Sequence, residues 1–203
     1  MDKIICVGKN YLKHALELGD PVPDEPTYFI KPPSTIFAVS KNGEVVRLPH
    51  HGEVHHEVEL VFRLQKNGDD QLKLSHFTFG VDMTIRDLQA RLKKAGQPWE
   101  KAKVFQNSAI LGPWRENLSL NETMQIPFSL SVNGEVRQKG LGQDMRWTPD
   151  FLLNDLPKWF PVKDGDLLFT GTPEGVGPLK DGDVVEINGG NISYAFQIGT
   201  TLV

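Results

Sequence analysis

Cysteine is almost absent: the chain of 203 residues has one, Cys6. An intrachain disulfide is therefore excluded. Cys6 sits among Ile4, Ile5 and Val7, so it is expected to be a small buried residue of a first strand. A dominant charge sign is missing too. The formal net charge of −4 gives no field that would draw nucleic acid or an anionic membrane. No apolar run approaches the length of a bilayer span, and the opening "MDKIICVG" carries no signal-peptide pattern. The expectation is a cytoplasmic protein with neither nucleic acid nor membrane as partner. The sequence has no internal repeat, no low-complexity tract and no Gly-Lys-Ser/Thr phosphate loop or dinucleotide fingerprint. One domain, 1–203, is expected at this length.

What the chain does have is turns, with 19 glycines and 14 prolines. Strands are expected at "KIICVG", "TYFI", "TIFAV", "EVVRLP", "EVELVFRL", "HFTFGVDMT", "GDLLFTG", "GDVVEING" and "ISYAFQIGTTLV". "KNGE" carries a hairpin signal, and "FSLSVNGEVRQ" reads as a hairpin turning at Asn133-Gly134. Helical segments are expected at "NYLKHALEL", closed by Gly19, at "TPDFLLNDLPKWF", and at "IRDLQARLKKAG", where Ile85, Leu88 and Leu92 form a buried stripe and Gly96 a stop. Strands dominate and no βαβ rhythm appears. The fold class expected is α+β, mostly β, a roll or sandwich of antiparallel sheets.

The stretch "EVHHEVELVFR", from Glu53 to Arg63, alternates. Val58, Leu60 and Phe62 share one parity; Glu57, Glu59 and Val61 share the other. In a strand, Glu57 and Glu59 then lie side by side on one face. Adjacent carboxylates repel unless a proton or cation sits between them, and a hard cation such as Mg²⁺ or Mn²⁺ takes carboxylate oxygens. The other reading is a solvated strand face with two ordinary glutamates. Asp82, where strand gives way to helix, is either a helix-start cap or a third oxygen ligand.

Further candidates are weaker taken singly. Arg86 and Lys103 follow in the same segment, beside Lys93, Lys94 and Lys101, and most of that lysine run reads as a solvated face. "FTGTPEGVGP" could bind a carboxylate through its amides and Thr172, or simply connect two strands. His50, His51, His55 and His56 crowd together, yet His55 and His56 fall on opposite faces of a strand, and His56 shares the apolar parity. His14 precedes Glu17 by three on a short helix, so the two can pair as a carboxylate-oriented general base or as a surface pair.

The stretches "VGKNYLKHALELG", "FIKPPS", "HHEVELV", "GVDMTIRDLQ", "KKAGQPWEKAK", "LSVNGEVRQ" and "GDLLFTGTPEGVGPLKDGD" resemble the fumarylacetoacetate hydrolase family, in its acylpyruvase and oxaloacetate decarboxylase branch. The resemblance covers nearly the whole chain. It implies a mixed β-roll with sandwiched sheets, assembled as a homodimer. It also implies that Glu57, Glu59 and Asp82 hold Mg²⁺ or Mn²⁺ and that His14 and Glu17 activate water. Lys103 would counter developing negative charge, and Lys31, Arg86, Gln89 and Thr172 would contact a small keto-acid substrate. The reaction implied is cleavage of a carbon–carbon bond in a pyruvate-like keto or diketo acid through an enolate, by acylpyruvate hydrolysis, oxaloacetate decarboxylation or both. An isomerase or decarboxylase of aromatic-catabolism intermediates, and a non-catalytic metal- or ligand-binding homologue, are the alternatives. Where many members read Lys-x-Phe-Asp, this chain has Lys103-Val104-Phe105-Gln106, so a changed orientation of Lys103 is expected.

Overall fold

The computed structural model describes residues 1–19, 23–49, 52–116 and 119–200. His50 and His51 lie outside them, as does the end of the last expected strand. In chain order the first half holds β1 (Ile4–Gly8), α1 (Leu12–Glu17), β2 (Thr27–Lys31), β3 (Ile36–Ala38), β4 (Glu44–Leu48), β5 (Val54–His56), β6 (Val58–Lys66), β7 (Leu72–Asp82) and β8 (Thr84–Ile85). Then come α2 (Arg86–Lys94), α3 (Glu100–Lys103), β9 (Ala109–Leu111), β10 (Arg115–Glu116) and α4 (Leu120–Met124). The remainder is β11 (Phe128–Val132), β12 (Glu135–Gly140), α5 (Pro149–Asp155), β13 (Leu167–Phe169), β14 (Gly177–Pro178), β15 (Val184–Gly189) and β16 (Ile192–Thr200).

These strands make an eight-stranded sheet in the order β2-β1-β13-β6-β7-β9-β3, with β10 added to β7. A five-stranded sheet, β12-β11-β15-β16-β4, packs against it, and a small sheet, β14-β5-β8, closes one end. The expected mostly-β roll or sandwich is present. The sheets are mixed rather than antiparallel throughout, because β1 runs parallel to β13, β3 to β9 and β16 to β4. The "KNGE" hairpin does not form. β3 joins the large sheet and β4 the five-stranded one, so the turn between them hands the chain from one layer to the other. A two-residue turn signal is local; the partners that override it are distant in sequence. The Asn133-Gly134 hairpin does form, with both residues at positive φ (53° and 80°), as a two-residue turn of this type requires.

Alternation in β6 and β7 divides the core. Leu60, Phe62, Leu64, Phe77, Phe79 and Val81 face the five-stranded sheet in the main core, whereas Val61, Cys6, Ile4 and Phe169 form a smaller cluster on the other face. The sheets meet closely: the Phe79 and Phe128 rings stack with centroids 5.0 Å apart, and Tyr194 donates its hydroxyl hydrogen to Phe79 O at 2.8 Å. A Cβ at Gly189 would fall 2.3 Å from the Phe79 ring, so this approach needs glycine. Cys6 is buried, as its apolar neighbours suggest, and burial pushes its thiol well above the ordinary range.

Candidate active site

The parity that sends Leu60 and Phe62 into the main core sends Glu59 to the opposite face, with Glu57 just before the strand. Pairing with β7 then brings up Asp82: Glu59 faces Gly80, Val58 faces Val81, and Asp82 N–H donates to Glu57 O at 2.9 Å. The three carboxylates are buried, and each offers an oxygen within 4.8 Å of the others. A cluster of carboxylate oxygens of this kind is the donor set of a hard divalent cation.

Cations from three elements close on the cluster. Lys103, at the end of α3, gives its ammonium hydrogens to Asp82 Oδ2 at 2.7 Å, Thr84 Oγ1 at 2.7 Å and Glu57 Oε2 at 2.9 Å. Arg86, opening α2, pairs with Glu57 through Nη2 and donates from Nη1 to Gln89 Oε1 at 2.7 Å. Its Nε–H is buried with no acceptor among the described residues. Lys31, on β2, pairs with Asp82 and donates to Ser108 O at 2.6 Å and Met83 O at 3.2 Å. Each carboxylate oxygen has two lone pairs, so these contacts leave acceptor capacity for a metal.

The charges shape one another. Burial pushes the Glu57 carboxyl up, but Lys103 and Arg86 outweigh it and hold it below the usual carboxylate range. Burial, reinforced by Asp82 and Glu57, pushes Glu59 well above the ordinary 4.5. Burial lowers the Lys103 ammonium, yet Asp82 and Glu57 more than offset it, and Lys103 stays protonated. Glu59 is the carboxylate with the least compensation: it accepts Gly171 N–H at 2.7 Å and, among the described residues, pairs with no cation. A metal ion there would relieve the largest uncompensated charge in the cluster.

His14, Arg86, Gln89, Lys103 and Thr172 line one cleft with the three carboxylates. His14 is buried, and its Nδ1 lies 3.2 Å from Glu17 Oε2. Glu17 in turn accepts Gly175 N–H at 3.0 Å. The loop "GTPEGVGP" thus does bind carboxylates through its amides, but they are the protein's own Glu59 and Glu17. Thr172 donates to Val58 O and accepts from Gln138 Nε2, both at 2.8 Å.

One expectation changes. Lys31, expected at the substrate, lies behind Asp82 at 1% exposure, so it holds the carboxylate instead of lining the cleft. Gln106 is exposed, and Lys103 takes its orientation from Glu57, Asp82 and Thr84. His56 is a satisfied core histidine, its Nδ1 2.9 Å from Gln138 Oε1, and burial keeps its pKa below the ordinary 6.5. The sequence reading missed Thr84 and Gln138. Gln138 ties His56, Val58 N–H, Thr172 and Pro173 O together from the far strand β12, which no local pattern announces.

Comparison with known proteins agrees with this geometry. The sequence profile described as fumarylacetoacetate (FAA) hydrolase C-terminal matches residues 3–200. An oxaloacetate tautomerase of Escherichia coli is 40% identical over 195 residues, covering 92% of this chain and 88% of the relative. A mitochondrial oxaloacetate decarboxylase of Dictyostelium discoideum is 33% identical, covering 97% and 93%. Among solved structures, a fumarylpyruvate hydrolase from Pseudomonas aeruginosa in complex with Mn²⁺ and pyruvate superposes with a TM-score of 0.87 at 31% identity, covering 98% of this chain and 90% of that one.

Proposed function

The chain belongs to the fumarylacetoacetate hydrolase family, and on that premise we propose that it is a divalent-metal-dependent enzyme that cleaves a carbon–carbon bond in a pyruvate-type keto acid by way of its enolate. The observation that carries this is the convergence of the buried Glu57–Glu59–Asp82 cluster, Arg86, Lys103 and His14, the last paired with Glu17, on one cleft. Mg²⁺ or Mn²⁺, held by Glu57, Glu59 and Asp82, would supply Lewis acidity toward the enolate charge.

The chain's own groups divide the remaining work. Arg86 lines the cleft and uses one hydrogen on Glu57 and one on Gln89, so its fork keeps donors on the terminal nitrogens for the carboxylate of the keto acid. Gln89 uses its oxygen on Arg86, so its NH₂ is left to donate to substrate. Lys103 is held protonated with all three hydrogens committed. It therefore acts as a fixed positive charge beside the enolate and not as a base. His14, oriented by Glu17, is the general base. For an acylpyruvate it takes a proton from water, whose oxygen attacks the far carbonyl. The bond between that carbon and the methylene breaks, its electron pair forms the pyruvate enolate, and a proton on the methylene carbon completes pyruvate. For oxaloacetate, loss of carbon dioxide gives the same enolate with no activated water.

The Escherichia coli relative favours a second reading, keto–enol tautomerisation of oxaloacetate. It passes through the enolate of oxaloacetate itself, formed by taking a proton from the methylene carbon and returning one to oxygen, with no carbon–carbon bond broken. The assays that separate these follow acetylpyruvate loss, carbon dioxide release from oxaloacetate and decay of the oxaloacetate enol, each with added Mg²⁺ or Mn²⁺. Cleavage of either substrate above the metal-only rate supports the proposal, and enol decay alone selects the tautomerase. No rate on any of the three refutes both. The family resemblance also supports a homodimer, which sedimentation would test.

A further inference from the structure

The carboxylate cleft has a neighbour. Phe29, Trp99 and Lys103 line both the cleft and a second cavity, of about 200 Å³, between the edge strand β2 and α3. Tyr28, Ile30 and Pro98 supply much of its remaining wall, and Glu100 is its one acid among the described residues. Lys103 has no hydrogen left for it, because the ammonium donates to Glu57, Asp82 and Thr84 and rests 4.8 Å from the Phe29 ring centre. A ligand carboxylate in this chamber would meet Glu100 and no uncommitted cation, and burying an unpaired charge is costly. An uncharged apolar group would bury against Phe29 and Trp99, whose rings stand 6.5 Å apart.

We infer that this chamber receives the far, acyl end of an acylpyruvate, that the group it takes is uncharged and apolar, and that Phe29 and Trp99 set its size, the second carboxylate of oxaloacetate staying outside it. The inference rests on the keto-acid reading above. Lys9 and Lys93 also line the cleft and are the competing place for a charged tail.

Binding rather than turnover separates the two readings. Dissociation constants are measured by calorimetry on the Mg²⁺-loaded protein for pyruvate, 2-oxobutanoate, 2-oxopentanoate and 2-oxohexanoate, and for 2-oxoglutarate as the charged counterpart. A buried methylene is worth roughly fourfold in affinity, so Kd is expected to fall by about that factor at each step until the chamber is full. 2-Oxoglutarate should bind more weakly than 2-oxopentanoate. Trp99→Ala should flatten the series by opening the chamber. Thr27→Phe, on the edge strand, should flatten it by filling the chamber, and it keeps the test decisive should the first variant fail to fold. A flat wild-type series, tighter binding of 2-oxoglutarate, or a slope retained in the folded variants would overturn the inference while leaving the keto-acid reading intact. Failure of every ligand to bind, pyruvate included, would overturn both.

Discussion

On the proposed mechanism, His14 is the residue that separates the two cleavage reactions. Hydrolysis needs a water made nucleophilic, and a positioned general base contributes on the order of 10²–10⁴-fold. Decarboxylation needs only the electron sink. His14→Ala should therefore slow acetylpyruvate hydrolysis by a factor in that range, leave metal content unchanged and affect oxaloacetate decarboxylation far less. The measurement is kcat for both substrates at saturating Mg²⁺, and equal losses on both would remove the separate role. Cys6 has the opposite character. It is 1% exposed, its thiol is pushed well up by burial, and it packs in the smaller core cluster. The thiolate is the reactive form, so a thiol reagent should leave the native protein unmodified and fully active, and should react only on unfolding. Rapid labelling with loss of turnover would show a functional thiol.

At the scale of elements, the loop after β13 holds Glu17, the partner of the proposed base, in place. Gly175 has φ +93°, and a Cβ there would fall 2.1 Å from Arg137 O, while its N–H holds Glu17. Gly175→Ala should cost on the order of 2 kcal/mol from the strained backbone. It should also shift the ratio of hydrolysis to decarboxylation in the same direction as His14→Ala, by a smaller factor. An unchanged ratio in the folded variant would detach the loop from His14. What the sequence revealed follows the same division of scale. Glu57 and Glu59 were legible because period two is local, and Asp82 because a strand visibly ends there. The cation roles were not legible from the residues alone. Lys103 meets Asp82 and Glu57 at separations of 21 and 46 residues, and Arg86 stood out only through the family resemblance. The "KNGE" turn misled because β3 and β4 find parallel partners in β9 and β16, far along the chain. α3 carries Lys103 on four residues, too few to show a helical period.

For the whole molecule, Asp166 fastens the start of the chain to the turn before β13. Buried, it accepts Asp2 N–H, Lys3 N–H, Lys163 N–H and the Lys3 ammonium at 2.7 to 3.1 Å. Burial pushes its carboxyl up, but the Asp2 and Lys163 amides and Lys3 outweigh it and hold it below the ordinary 3.8. A lowered pKa means that the unfolded chain binds the proton first as pH falls. Asp166 thus contributes its full stability above 3.8 and loses it as pH drops from there through the folded value. Asp166→Asn should lower Tm at pH 7, and the gap from wild type should narrow below about pH 4; a gap that stays constant down to pH 2 would contradict this. On the proposed function, Glu57, Glu59 and Asp82 hold the metal on which turnover depends. The most direct test is Mn²⁺ titration of chelator-stripped wild type and Glu59→Gln, with bound metal read by electron paramagnetic resonance and oxaloacetate and acetylpyruvate turnover followed in the same samples. One Mn²⁺ is expected per wild-type chain, with activity rising as the site fills, and neither binding nor turnover in Glu59→Gln. Full activity in the stripped wild type, or undiminished Mn²⁺ binding by Glu59→Gln, would contradict it.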